Sequence, residues 1–148
     1  MKDQTATTRA RQRRPGRSIG AVLLGLAVIF VLSLGTDQVL RVLQVYPAWG
    51  QPMYDPHLSL LALAYRIVYD VAGCALTAWL APSAPMGHAL ALGVIGLAIS
   101  GAGVAVSIAT PGLGPTWYPV ALALSALPSA WLGAALHRRW HAARPPAR

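Results

Sequence analysis

Four apolar stretches, 18–35, 58–81, 88–110 and 118–136, run through the sequence, and three of them hold no Asp, Glu, Lys or Arg. A helix needs about 20 such residues to cross the hydrocarbon core of a bilayer. Backbone polar groups find no water there, so each stretch must satisfy its own hydrogen bonds as a helix. Charged residues make up only 11% of the chain, against about 25% in soluble domains. Together these features predict an all-α fold, an integral membrane four-helix bundle.

The formal charge of +8 would point to nucleic acid if it were spread over a folded surface. Ten of the twelve basic residues instead lie in two tails, 1–17 and 137–148. They read as a topology signal and a contact for anionic lipid headgroups, with no nucleic-acid partner. An even number of spans puts both termini on one side, and positive charge fixes that side as cytoplasmic, in a bacterial inner membrane. Arg41 is the one basic residue in the opposite connections, with Asp37 and Asp55 to balance it. The tail 1–17, rich in Thr and Arg with Pro15-Gly16, is too polar to bury and is expected to be disordered.

The basic start, the first apolar run and the small pair Ser33 and Gly35 resemble a signal peptide. The run exceeds the usual 7–15 residues of such a signal, and three more spans follow it, so an uncleaved first helix is expected. Arg13-Arg14 lacks the surroundings of a twin-arginine signal. After this span, Gln38, Arg41 and Gln44 recur every third residue among Val39, Leu40, Val42 and Leu43. That pattern suits a short interfacial helix capped by Thr36 or Asp37 and broken at Pro47. Tyr46, Trp49 and Tyr54 have the rings of a headgroup belt.

Two spans carry ladders of small residues. In the third, Ala89, Gly93, Gly96, Ser100, Gly103, Ser107 and Thr110 alternate steps of four and three, a 3.5-residue repeat along one stripe. In the fourth, Ala121, Ser125, Ser129 and Gly133 lie four apart, and Pro128 predicts a kink rather than a break. Small residues let helix backbones approach, and van der Waals packing then replaces the hydrophobic drive that lipid removes.

The second span alone buries charge. Ala62, Arg66, Tyr69, Asp70, Gly73 and Thr77 share one side, with Tyr65 adjoining. A lone charge at mid-membrane costs about 2.5–3.5 kcal/mol on insertion scales, so this side should face partner helices or a wet cavity. In one reading Arg66 and Asp70, at i and i+4, neutralise each other structurally. In the other, Asp70 exchanges protons or Arg66 binds an anion along a pathway. Asp37 reaches Arg66 if the first two helices pack together.

No catalytic motif is present. The serines lack a nucleophile motif, and the glycines of the third span are not a phosphate loop. The single cysteine, Cys74, excludes a disulfide or CxxC pair within the chain. His137 and His141 stand four apart but flank Arg138, Arg139 and Trp140, so no metal or other cofactor is assigned.

The phrases Trp49-Gly50-Gln51-Pro52, Ala64-Tyr65-Arg66, Ala81-Pro82-Ser83-Ala84-Pro85-Met86-Gly87-His88, Gly114-Pro115-Thr116-Trp117-Tyr118-Pro119 and Leu127-Pro128 resemble those of small uncharacterised bacterial four-helix inner-membrane proteins. That resemblance spans roughly residues 19–136 and implies a fold and a location, without an activity to transfer. By size the chain is also similar to small multidrug exporters and fluoride channels. The exporters use a membrane glutamate in their first helix, and here no carboxylate precedes Asp37 in that helix. The charge bias also argues against the dual insertion common in those groups. The expected role is a non-enzymatic component that packs with itself, as a homo-oligomer, or with a larger membrane complex. The competing role is a small proton- or ion-linked transporter or channel subunit.

Overall fold

The computed structural model describes residues 15–142, leaving 1–14 and 143–148, which hold the greater part of the first basic tail and half of the second, outside the described residues. The four helices are α1 (Pro15–Val42), α2 (Pro56–Leu80), α3 (Pro85–Ala109) and α4 (Trp117–Ala142). All four are long and apolar enough to cross a membrane. The chain thus has the architecture of a multi-pass membrane protein. Residues 15–17 open α1 and residues 137–142 close α4, extending both helices beyond the spans read from hydropathy. The bundle has a loop end, carrying the 43–55 and 110–116 connections, and a terminal end, carrying the 81–84 turn, the start of α1 and the end of α4.

Caps explain most boundaries. Asp55 precedes α2, its Oδ1 accepting the His57 N–H at 2.8 Å, with Pro56 in the first turn where no backbone donor is needed. Ala84 adopts φ +45°, turning the chain sharply before Pro85 starts α3.

The separate interfacial helix after the first span is not found: α1 continues through Thr36 and Asp37 to Val42. Both expected caps are engaged elsewhere, Thr36 with Tyr69 and Asp37 with Tyr65 and Arg66 of α2, so neither is available to start a new helix. The end comes later, where Gln44 takes the left-handed conformation at φ +57°. The Val45 N–H donates to the Leu40 carbonyl and the Gln44 N–H to the Arg41 carbonyl, a Schellman motif with glutamine in the usual glycine position. At about 1.5 Å per residue the 28-residue helix is about 42 Å long, exceeding a 30 Å core and carrying its last polar turns beyond it.

Helix α2 is central, packing on α1, α3 and α4, while α1 and α4 do not meet. The contacts are close because they are built on small residues. At Gly133 a Cβ would stand 2.6 Å from the Val71 carbonyl oxygen of α2, and at Gly93 one would stand 2.5 Å from the Ala130 methyl of α4. Gly25 and Gly73 let α1 and α2 approach in the same way. Cys74, Ala78, Ala89, Leu92, Ala130 and Ala134 form the buried core.

The α4 ladder turns inward as its spacing predicts, with Ser129 and Gly133 buried and Ser125 half-buried; the Ser125 hydroxyl donates to the Leu122 carbonyl. Pro128 leaves α4 unbroken. The α3 stripe divides. Ala89 and Gly93 are buried, Gly96 and Ser100 border a cavity, and Ser107 is half-buried, while Gly103 has nothing within 4 Å of its would-be Cβ. The continuous packing stripe expected of α3 is therefore interrupted in its loop-end half, at Gly103.

Candidate functional site

The polar side of α2 meets α1 toward the loop end. Arg66 Nη2 donates to Asp37 Oδ2 at 2.7 Å, and the Tyr65 hydroxyl donates to Asp37 Oδ1. One turn along, the Tyr69 hydroxyl lies 2.9 Å from the Thr36 hydroxyl. Asp37 is 6% and Arg66 28% exposed by side chain, so this is a largely buried pair, and it is the only ion pair among the described residues. The guanidinium also lies 5.8 Å from the ring centroid of Tyr118 on α4, within cation–π range. Arg66 thereby bridges α1, α2 and α4.

The ion pair of Arg66 is thus with Asp37, the partner expected where the first two helices pack together, and not with Asp70 one turn away. An i, i+4 pair on one helix gives the guanidinium a single carboxylate along its own backbone. Asp37 arrives from a neighbouring helix with both oxygens occupied, one by Tyr65 and one by Arg66. Such charge-assisted bonds are short and strong, which decides the competition.

Asp70 is left without an ion pair among the described residues, although Arg66 lines the same cavity. It is half-buried and lines a partly open cavity of about 160 Å³ between the four helices, together with Ser33, Arg66, Cys74 and Ser100. Apart from these groups the walls are apolar, contributed by residues such as Ile29, Phe30, Leu92 and Leu122. The cavity can hold several waters, each occupying about 30 Å³ in the liquid. Asp37, Asp70, Arg66 and Arg41, the last donating to the Asp37 carbonyl at 3.3 Å, are the charged groups of this region, so its charges balance when both acids are ionised. Arg66 Nε is buried without a hydrogen-bond partner.

Thr77, expected in the same network, lies away from it. Its side chain is fully buried, and its hydroxyl donates to the Ala21 carbonyl at 3.3 Å, joining α1 to α2 at the terminal end. The sequence reading thus placed Asp37, Tyr65, Arg66 and Tyr69 in one polar cluster and missed Tyr118 and Ser33. Tyr118 had a visible signal, an aromatic ring at the start of a span, but its pairing with Arg66 depends on α2 and α4 running in register.

Above the site the loops are stitched together. Tyr46 is buried, its hydroxyl donating to the Leu58 carbonyl at 3.2 Å, and burial pushes its pKa above the ordinary tyrosine value, keeping the donor proton in place. Arg41 stacks with its guanidinium carbon 3.6 Å from the Trp49 ring centroid, while Trp49 Nε1 donates to Gln38 Oε1 at 3.0 Å. The Tyr54 hydroxyl donates to the Gly112 carbonyl at 2.9 Å, tying the first long connection to the second. The described residues contain no cluster of three His, Cys, Asp or Glu able to hold a metal ion.

No protein-family model, curated protein or solved structure matches the chain.

Proposed function

We propose that this chain is a non-enzymatic bacterial inner-membrane protein, both termini cytoplasmic, in which Asp70 exchanges a proton or a small monovalent cation as part of ion-linked transport. One observation carries the reading: Arg66 is committed to Asp37, and Asp70 faces the inter-helix cavity with no ion pair of its own. An unpaired carboxylate inside a membrane bundle is costly to keep, and such groups mark ion and proton routes. With Arg66 held by Asp37, the ionised Asp70 carboxylate favours a cation over an anion in the cavity, and the Ser33 and Ser100 hydroxyls offer neutral ligands beside it.

The test uses protein reconstituted in vesicles with an imposed pH or potassium gradient, read by an internal pH dye. Wild type is expected to dissipate the gradient and folded Asp70→Asn to lose that flux. Equal flux from the two would sink the proposal.

A second reading, a packing component of a homo-oligomer or larger complex, is favoured by the loop-end half of α3, where Gly101 and Gly103 have nothing within 4 Å of a would-be Cβ. Absence of any flux from wild type would leave that reading standing alone.

A further inference from the structure

At the opposite end of the bundle from the Arg66 cluster lies a second and larger recess, which ion exchange at Asp70 does not use. One turn past the tight Gly133 contact, α2 offers small residues to α4, and the helices leave a groove of about 410 Å³ between them. Ala75, Leu76 and Trp79 of α2 and His137, Trp140 and His141 of α4 line it. The floor is apolar and the rim amphipathic: Trp79 and Trp140 are 61% and 65% exposed, and indoles of this kind settle at the headgroup level of a bilayer.

Two features call for a polar occupant. His137 is only 9% exposed, yet its Nδ1 is buried without a hydrogen-bond partner among the described residues. A buried polar atom in that state costs about 1–3 kcal/mol unless something satisfies it. The His141 ring stacks beside it at 4.3 Å between centroids, placing two imidazoles together in the groove wall.

The surrounding charge has one sign. Arg138 and Arg139 are exposed on the same turn of α4. The described acids are elsewhere: Asp37 and Asp55 toward the loop end and Asp70 beside the central cavity. We infer that this groove binds an anionic phospholipid, its first acyl carbons against Ala75 and Leu76, its headgroup phosphate at the imidazoles, within the positive field of the neighbouring Arg138 and Arg139. A zwitterionic lipid would bring its own cation into a basic rim, so the preference is for net negative headgroups. Lipid binding here is independent of exchange at Asp70, and either can fail without the other.

The experiment is native mass spectrometry of the full chain in detergent, offered equal phosphatidylglycerol and phosphatidylcholine. Wild type is expected to retain phosphatidylglycerol about fivefold over phosphatidylcholine, the ratio that one cationic side chain near an anionic surface supports. The double variant His137→Leu, His141→Leu keeps every arginine but removes the imidazoles that seat the phosphate beside Arg138 and Arg139, and a headgroup no longer held there is expected to bring the ratio to about one. If that variant does not fold, Ala75→Phe, which fills the groove from the α2 side, takes its place with the same expectation. Undiminished enrichment in the folded variant would assign the preference to the basic tails and overturn the inference. So would equal retention of the two lipids by wild type, or displacement of the lipid by millimolar inorganic phosphate.

Discussion

Gly133→Ala and Gly103→Ala add the same methyl group to the two ladders and should have opposite effects. At Gly133 the new Cβ would lie 2.6 Å from the Val71 carbonyl oxygen, 2.8 Å from the Ala75 nitrogen and 2.8 Å from the Cys74 Cβ, where ordinary contact begins at 3.4 Å. Two of those atoms are α2 backbone, so no rotamer change relieves the clash and α4 must move away as a unit. That retreat opens the contacts among Cys74, Ala78, Ala130 and Ala134, which in lipid have only dispersion to hold them. Overpacking of this kind costs about 1–3 kcal/mol. At Gly103 nothing lies within 4 Å, so there is no packing cost. Alanine's advantage over glycine in a helix, about 1 kcal/mol, applies to both variants and cancels in the comparison. Reversible unfolding in mixed micelles should therefore separate the two by about 1–3 kcal/mol, with Gly133→Ala the less stable. Equal midpoints, or a greater loss at Gly103, would refute the packing of α2 on α4 as described.

Asp37→Leu and Arg66→Met should each destabilise by about 3 kcal/mol, since each leaves its partner buried and alone, while the double variant recovers most of the loss. Additive losses in the same unfolding assay would mean that the two side chains do not act as a pair. Tyr54→Phe removes the hydroxyl that joins the two long connections. Its cost to global stability should be only about 0.5 kcal/mol, at the low end for one hydrogen bond, because the bond is exposed. Limited proteolysis should nevertheless cut the 110–116 connection faster than in wild type, and an unchanged rate would show that the bond does not hold that loop.

The number of helices, their antiparallel order and the polar side of α2 were legible in the sequence because hydropathy and the 3.6-residue period are local properties. The α4 ladder was legible for the same reason. What escaped depends on which helices touch. Gln38, Arg41 and Gln44 have the spacing of an interfacial helix, and only the occupation of Thr36 and Asp37 by α2 side chains shows why α1 does not stop before them. The i, i+4 spacing of Arg66 and Asp70 made a pair on one helix the economical reading. The choice of Asp37 instead requires α1 and α2 in antiparallel register, which no local pattern encodes. The interrupted stripe on α3 is a further case, since periodicity shows that a face can pack but not where a neighbour meets it.

The bond between Arg66 and Asp37 joins residues 29 apart on successive helices. During synthesis α1 emerges with its carboxylate before the chain has made Arg66, the cation that pairs with it in the finished bundle. The first two helices are therefore expected to enter the bilayer as a hairpin, with Arg66 shielding Asp37 as they partition. A mutation at either position would then act first on insertion yield, before any question of the finished protein's stability arises.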